Sequence, residues 1–399
     1  MKYSERALQM TPSVTLAITA KISKLKEDGR DVIGFGAGEP DFNTPVNIIN
    51  AAIQAMSDGK TKYTAASGIT PLKQAIADKF KNDNDLTYDL SQISVSTGAK
   101  QCLANAFLAL LNEGDEVLMA VPYWVTYPEL VKLSGGVPVF CECSPANNYK
   151  LTAQLVEEYI TPKSKVLILN TPNNPTGTVY DREELTELAE VAKKHNLLII
   201  ADEMYEKLIY GDSSHVSIAA LSEDAYNRTL TINGVSKSYA MTGWRIGYVA
   251  GPKDIIKLMN SIQSHTTSNP CSIAQYASLE ALTGDQTSLD NMIIEFGKRR
   301  DLMVDLIDQI PGLSCIKPEG AFYVMLNLEE VLGRSHKGSV LASGMDFADR
   351  LLTEKLVGVV PGEGFGIDGF VRMSYATSGE NITKGMAKIA EFIAELDAE

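Results

Sequence analysis

Residues 233–248, NGVSKSYAMTGWRIGY, hold two cations and no acid: Lys237, set between Ser236 and Ser238, and Arg245 further on. A surface lysine is a solvated ammonium ion. A lysine at the end of a buried strand is desolvated, gives up its proton more readily, and as a neutral amine can condense with an aldehyde. The planar guanidinium of Arg245 suits a phosphate better than a second lysine would. Ordinary surface placement is the plain alternative for both.

Other candidates fall where apolar runs end. Asp202 closes LLIIAD, so its carboxylate must find a partner, either a helix cap or ion pair or the protonated nitrogen of a heterocycle. Ser96 to Lys100, STGAK, passes from strand to helix through small residues, so the free N–H groups around Gly98 and Ala99 suit a phosphate or a simple cap. Tyr205 and Asn174 could hydrogen-bond a phenolic oxygen, and Trp124 could cover a ring face. An amine for an aldehyde, a carboxylate for a pyridine nitrogen and a cationic phosphate clamp together describe pyridoxal 5′-phosphate.

Competing chemistries have weaker support. Cys141-Glu142-Cys143 lacks a second ligand pair, and the four histidines are scattered without an H-E-x-x-H, so no metal site is expected. GFGIDG (364–369) matches a dinucleotide-binding glycine pattern by letters, but FVRMSYA after it reads as a strand where a helix is required. A dehydrogenase is therefore disfavoured. The net charge of −14 disfavours nucleic acid and anionic membranes.

The elements that must position these residues follow from periodicity. Apolar runs at 93–99, 116–124, 164–172, 197–205, 229–237 and 245–252 read as strands, with helices at 99–112 and 181–195 between them, the pattern of a parallel sheet with crossover helices. In such sheets ligands gather outside the carboxyl ends of the strands, where Gly98, Ala99, Lys100, Trp124, Asn174, Asp202, Tyr205 and Lys237 all fall. Residues 13–28 read as an amphipathic helix stopped by Gly29. From about 298 a long helix, short strands (AFYVMLNL, VGVVP, FVRMSYA) and a last helix from 379 form an α+β segment. The expected division is a large α/β domain over 45–295, its mostly parallel sheet covered by helices on both faces, and a smaller α+β domain from 1–44 and 296–399. MKYSERALQM offers no apolar signal run, and with five cysteines in no paired spacing the expectation is a cytoplasmic, reduced protein without a membrane span.

These residues also carry a resemblance. GAGEPDFNTP (36–45), KYTAASGITPLK (62–73), PYWVTYPE (122–129), NTPNNPTG (170–177), ADEMYE (201–206), SKSYAMTGWRIGY (236–248) and VRMSYA (371–376) resemble the class I aminotransferases of the fold type I pyridoxal-phosphate enzymes, in particular the bacterial aspartate aminotransferase branch. The resemblance implies that Lys237 holds the cofactor and shuttles the proton at the substrate Cα, that Asp202 pairs with the ring nitrogen, and that Asn174 and Tyr205 hold the phenolic oxygen. It implies phosphate contacts from Arg245, Gly98, Ala99 and Lys100, and from Tyr63 of a neighbouring subunit in a homodimer. It further implies ring stacking by Trp124 and capture of the substrate α-carboxylate by Arg372, with Asn174 and the main chain of Gly38 assisting.

Residues 246–298 contain no arginine to meet a distal carboxylate. The branch it resembles uses a lysine at the Lys100 position with hydroxyls near the first helix, matched here by Ser13 and Thr15. The expected reaction is amino transfer between an L-amino acid, aspartate above all, and 2-oxoglutarate, by a ping-pong cycle through the pyridoxamine form. An aromatic, prephenate or alanine aminotransferase or a C–S lyase of the same fold is the alternative. A DNA-binding regulator is disfavoured by the acidic balance.

Overall fold

A computed structural model describes residues 2–397 of the chain. Its main sheet has seven strands: β1 (Ile93–Ser96), β2 (Glu116–Val121), β3 (Val137–Glu142), β4 (Ser164–Asn170), β5 (Leu198–Asp202), β6 (Thr229–Gly234) and β7 (Gly247–Ala250). Their spatial order is β1-β7-β6-β5-β4-β2-β3. The inner strands are apolar and buried on both faces, as a sheet between two helical layers must be.

Strands β3, β2, β4, β5 and β6 run parallel, whereas β7 is antiparallel to both β6 and β1. The sheet is thus mostly parallel, as expected from the sequence, and the reason for its one reversed strand lies in the connection. A parallel neighbour needs a crossover, usually a helix. Residues 235–246 form no α-helix, so the chain turns back beside β6. The reversal keeps Lys237 and Arg245, both in that loop, at one edge of the sheet. Strand β3, absent from the expected set, is the half-exposed edge strand, and its mixed pattern VPVFCE gave no continuous apolar run.

Helices form largely where periodicity places them. Helix α1 (Val14–Glu27) is capped by the Ser13 side chain, α4 (Ala99–Leu110) starts behind Gly98, and α6 (Arg182–Lys194) opens with a capping box from Asp181 and Glu184. The long helix expected from 298 begins earlier, as α7 (Thr287–Ile307): Leu289, Met292, Phe296, Arg300, Met303 and Ile307 keep one face buried through Gly297.

The rest of the C-terminal chain makes a second, antiparallel sheet from β8 (Ser314–Cys315), β9 (Tyr323–Asn327), β10 (Val360–Pro361) and β11 (Phe370–Ser374), in the order β10-β11-β9-β8. Ile33–Gly34 pairs in parallel with Val357–Gly358, so a segment near the N-terminus joins this region. Helix α8 (Gly379–Ala394) buries Ile382, Met386, Ile389 and Ile393 at helical spacing.

Candidate active site

Strands β4 and β5 place their last residues side by side, Asn170 against Asp202. The Asn170 amide donates to the Asp202 carbonyl (2.9 Å) while its Oδ1 accepts the Asn174 N–H (2.9 Å), so one buried asparagine fixes both segments. Asp202 is buried. Its Oδ2 accepts from the Tyr127 hydroxyl at 2.7 Å, and its Oδ1 accepts the Met204 N–H at 3.3 Å. Burial pushes the carboxyl up to about 6, against the pull of those two hydrogen bonds.

Lys237 stands in the 235–246 loop, and its Nζ donates to the Gly38 carbonyl. The cavity reaches this side chain, which keeps it half-exposed although protein surrounds it. Desolvation pushes its pKa down to about 8; the Glu39 and Asp202 carboxylates oppose that shift, while Arg372 and Arg245 add to it. The sequence stretch around Lys237 contains no acid, yet the fold supplies these two from elsewhere.

Arg245 sits at φ 58°, donates from NH1 to the Thr242 carbonyl (2.8 Å), and lies directly over Gly98. A Cβ on Gly98 would collide with that guanidinium, and one on Gly247 would run into the backbone of Ala99. The two glycines therefore let strand β7, Arg245 and the N-terminus of α4 meet at one point. A helix N-terminus beside a guanidinium is a ready anion site.

Arg372, on β11, is only 2% exposed. Its NH1 donates to Asn174 Oδ1 (2.9 Å), its NH2 donates to the Gly36 carbonyl (3.2 Å), and its Nε has no partner. The guanidinium is held between the rings of Tyr323 (4.3 Å) and Phe365 (4.9 Å). Among the described residues no carboxylate lies within ion-pair distance of it. Tyr205 is buried, with its hydroxyl 2.9 Å from that of Tyr323.

A cavity of about 410 Å³ brings most of the expected residues together: Thr15, Gly38, Ala99, Lys100, Trp124, Asn174, Asp202, Tyr205, Lys237, Arg245 and Arg372. The size is that of a small-molecule site. Lys100 Nζ lies 5.0 Å over the Trp124 ring at the mouth, its pKa lowered by desolvation and by Arg245. Ser13 does not line the cavity; its hydroxyl caps α1 and lies 2.8 Å from that of Thr15, which does. Tyr63 is apart from it as well, 90% exposed.

Tyr127, Tyr323, Asn170, Glu39 and Thr19 also line the cavity and escaped the sequence reading. Tyr127 carried a usable signal, lying three residues after Trp124 in the first turn of α5 (Thr126–Leu133), where the two rings pack edge-on at 5.4 Å. Tyr323 carried none, because an aromatic residue in a buried strand reads as core.

A family model for aminotransferase classes I and II matches residues 30–389. The aspartate aminotransferase of Bacillus sp. (strain YM-2) is 50% identical over 390 residues, covering 98% of each chain. The aspartate aminotransferase structure from Rhizobium meliloti aligns over 100% of both chains with a TM-score of 0.96 and 43% identity. The Thermus thermophilus aspartate aminotransferase structure with maleate aligns over 98% of this chain and 100% of its own, with a TM-score of 0.93 and 41% identity. With a fold, a cavity and a sequence that agree along nearly the whole chain, the protein belongs to the class I and II aminotransferase family.

Proposed function

We propose that this aminotransferase uses pyridoxal 5′-phosphate and moves an amino group between aspartate and 2-oxoglutarate. Arg372 carries the reading. A buried guanidinium without a counter-ion costs several kcal/mol, roughly, until an anion arrives. This one opens into the cavity that holds Lys237 and Asp202. A substrate carboxylate is the anion that fits.

The residues present suit the cofactor. Arg245 and the α4 N-terminus form an anion cradle from which Gly98 removes the one obstructing side chain. Asp202, held by Tyr127, suits a protonated ring nitrogen; Tyr205 and the Asn174 amide suit a phenolic oxygen; Trp124 suits a ring face; Lys237 suits an aldehyde. When bound, the protonated pyridine ring supplies an electron sink for the substrate Cα and stores the amino group between the two halves of a ping-pong cycle.

The chain's own residues do the positioning. Asn174 Oδ1 is committed to Arg372, which leaves its Nδ2 as the donating end. Arg372 fixes the substrate α-carboxylate and so aims Cα at Lys237. The Lys237 amine, whose desolvation gives it a larger neutral fraction at physiological pH than a solvated lysine has, takes the proton from Cα and returns one on the way back. Lys100, with the Thr15 hydroxyl, receives the distal carboxylate, and Ser13 takes part only through its 2.8 Å contact with Thr15. The Thermus thermophilus relative was solved with maleate, a dicarboxylate of aspartate's length, which supports a dicarboxylic substrate.

A homodimer completes the reading. Helix α2 (Val46–Ser57) exposes Val46, Ile53 and Met56, and Tyr63 after it is exposed as well, apolar surface that a second copy would cover. Tyr63 would then reach the neighbouring site. We place the large domain at 45–295 and the smaller one at 1–44 and 296–399, in the cytoplasm. No helix among the described residues is long and apolar enough to cross a membrane. The test is spectroscopic. Purified protein should be yellow, bleach on addition of aspartate and recover with 2-oxoglutarate; colourless protein that takes up no pyridoxal phosphate would sink the reading.

A further inference from the structure

The Tyr205 and Tyr323 hydroxyls are 2.9 Å apart in a fully buried position, and they come from different parts of the fold. Tyr205 follows β5 of the main sheet, whereas Tyr323 begins β9 of the second sheet. Each phenol has one proton to give. If Tyr205 gives its proton to the cofactor's phenolic oxygen, its own oxygen is left as an acceptor, and among the described residues the proton placed to reach it belongs to Tyr323.

We propose that Tyr323 is a positioning residue that donates to Tyr205 and thereby tunes the cofactor's phenolic oxygen without touching it. The inference rests on the cofactor reading above. The Tyr323 ring is fixed for the task. It packs edge-on to Tyr205, with centroids 5.8 Å apart, and under the Arg372 guanidinium at 4.3 Å. Its hydroxyl also lies near Gly38, where an added Cβ would be 3.7 Å from it. No other partner competes for the proton among the described residues.

Donation into Tyr205 polarises its O–H, and chained hydrogen bonds strengthen one another. A stronger donor draws charge from the cofactor's phenolic oxygen. The nitrogen joining Lys237 to the aldehyde carbon then sees less negative charge and holds its proton less tightly. The other ionisable groups facing this pair are Asp202 from the main sheet, Tyr127 from α5, Arg372 from β11, Tyr375 just after β11, Glu39 from the loop after Ile33–Gly34, and Lys237 itself. Removing one phenolic oxygen from Tyr323 leaves the Arg372 guanidinium its contacts with both rings and its hydrogen bonds to Asn174 and Gly36.

The experiment is a pH titration of the visible absorbance of the holoenzyme. In Tyr323→Phe the midpoint should rise by about half a pH unit, an order-of-magnitude figure for one weakened link in a chain. The retained ring should keep KM for aspartate within about twofold, since its contact with Arg372 persists. Tyr205→Phe should raise the midpoint further. The double variant should match Tyr205→Phe alone, because Tyr323 acts only through Tyr205. An unmoved midpoint in Tyr323→Phe, or a double variant whose shift is the sum of the two, overturns the proposal and leaves the cofactor reading intact. A holoenzyme with no visible chromophore overturns both.

Discussion

Tyr127 Oη lies 2.7 Å from Asp202 Oδ2, and both groups are buried. The phenol donates, so it stabilises the charged carboxylate in a place where burial works against that charge. In Tyr127→Phe the ring still fills its space against Trp124, but the carboxyl moves up from about 6 and pairs less firmly with a protonated ring nitrogen. A hydrogen bond to a charged group is worth roughly 1.5–3 kcal/mol, so kcat should fall about 10- to 100-fold, and KM for aspartate should change little. Steady-state kinetics decide it. A loss confined to KM would place Tyr127 in substrate binding instead.

The difference between what the sequence disclosed and what it hid follows from side-chain chemistry. Lys237 and Asp202 were legible because a charge at the end of an apolar run is costly and demands a reason, whereas Arg372 was legible only through the family resemblance of VRMSYA. Tyr127 and Tyr323 stayed hidden because a buried tyrosine is common, and its hydroxyl partner is set by tertiary contacts far away in the chain. The Lys237 loop shows a second limit. Sequence gave the amine an apolar neighbourhood without an acid, while folding brings Glu39 from the N-terminal side to face it. The reversal of β7 was hidden for a related reason, since periodicity identifies a strand but says nothing of its direction.

Lys237 gives a pH dependence with a definite sign. Desolvation, opposed by Glu39, holds its pKa near 8, and only the neutral amine attacks an aldehyde. Apoprotein mixed with pyridoxal phosphate should therefore bind it faster as pH rises through about 8. Glu39→Gln removes a group that stabilises the ammonium, so its midpoint should lie lower. Stopped-flow absorbance measures both. A midpoint above 10 would mean that the amine is solvated in the empty site.

Lys100 separates the aspartate reading from its rivals. Its ammonium at the mouth of the cavity, over Trp124, is placed for a distal carboxylate that alanine lacks. Lys100→Ala should lower kcat/KM for aspartate by about 10- to 100-fold, the worth of one charge-assisted hydrogen bond, and leave alanine within about twofold. An equal loss on both donors would remove Lys100 from substrate selection and confine it to the phosphate end of the site.

Stability should depend on a buried network behind the site. Lys79 pairs with Glu206 and donates to Asn84 Oδ1 (2.7 Å), Asn84 donates to Glu206 (2.8 Å), and His215 Nε2 faces Glu203 (3.0 Å) and Glu206 (3.9 Å). Burial alone would raise the Glu206 carboxyl, but Lys79, His215 and Asn84 pull it down to about 2. Burial disfavours the His215 cation, but Glu203 and Glu206 outweigh it and raise its pKa. A depressed carboxyl adds stability above its ordinary value of 4.5 that is lost as pH falls toward 2. A raised histidine adds stability below its ordinary value of 6.5 that is lost as pH climbs through the folded value. The network should therefore stabilise most between pH 4.5 and 6.5. Lys79→Met strands a buried carboxylate, which costs roughly 3–5 kcal/mol. The variant's thermal midpoint should fall well below that of the unmodified protein at pH 7, and the gap should narrow as acid protonates Glu206. A gap that stays constant down to pH 3 would show that the loss comes from packing and not from charge.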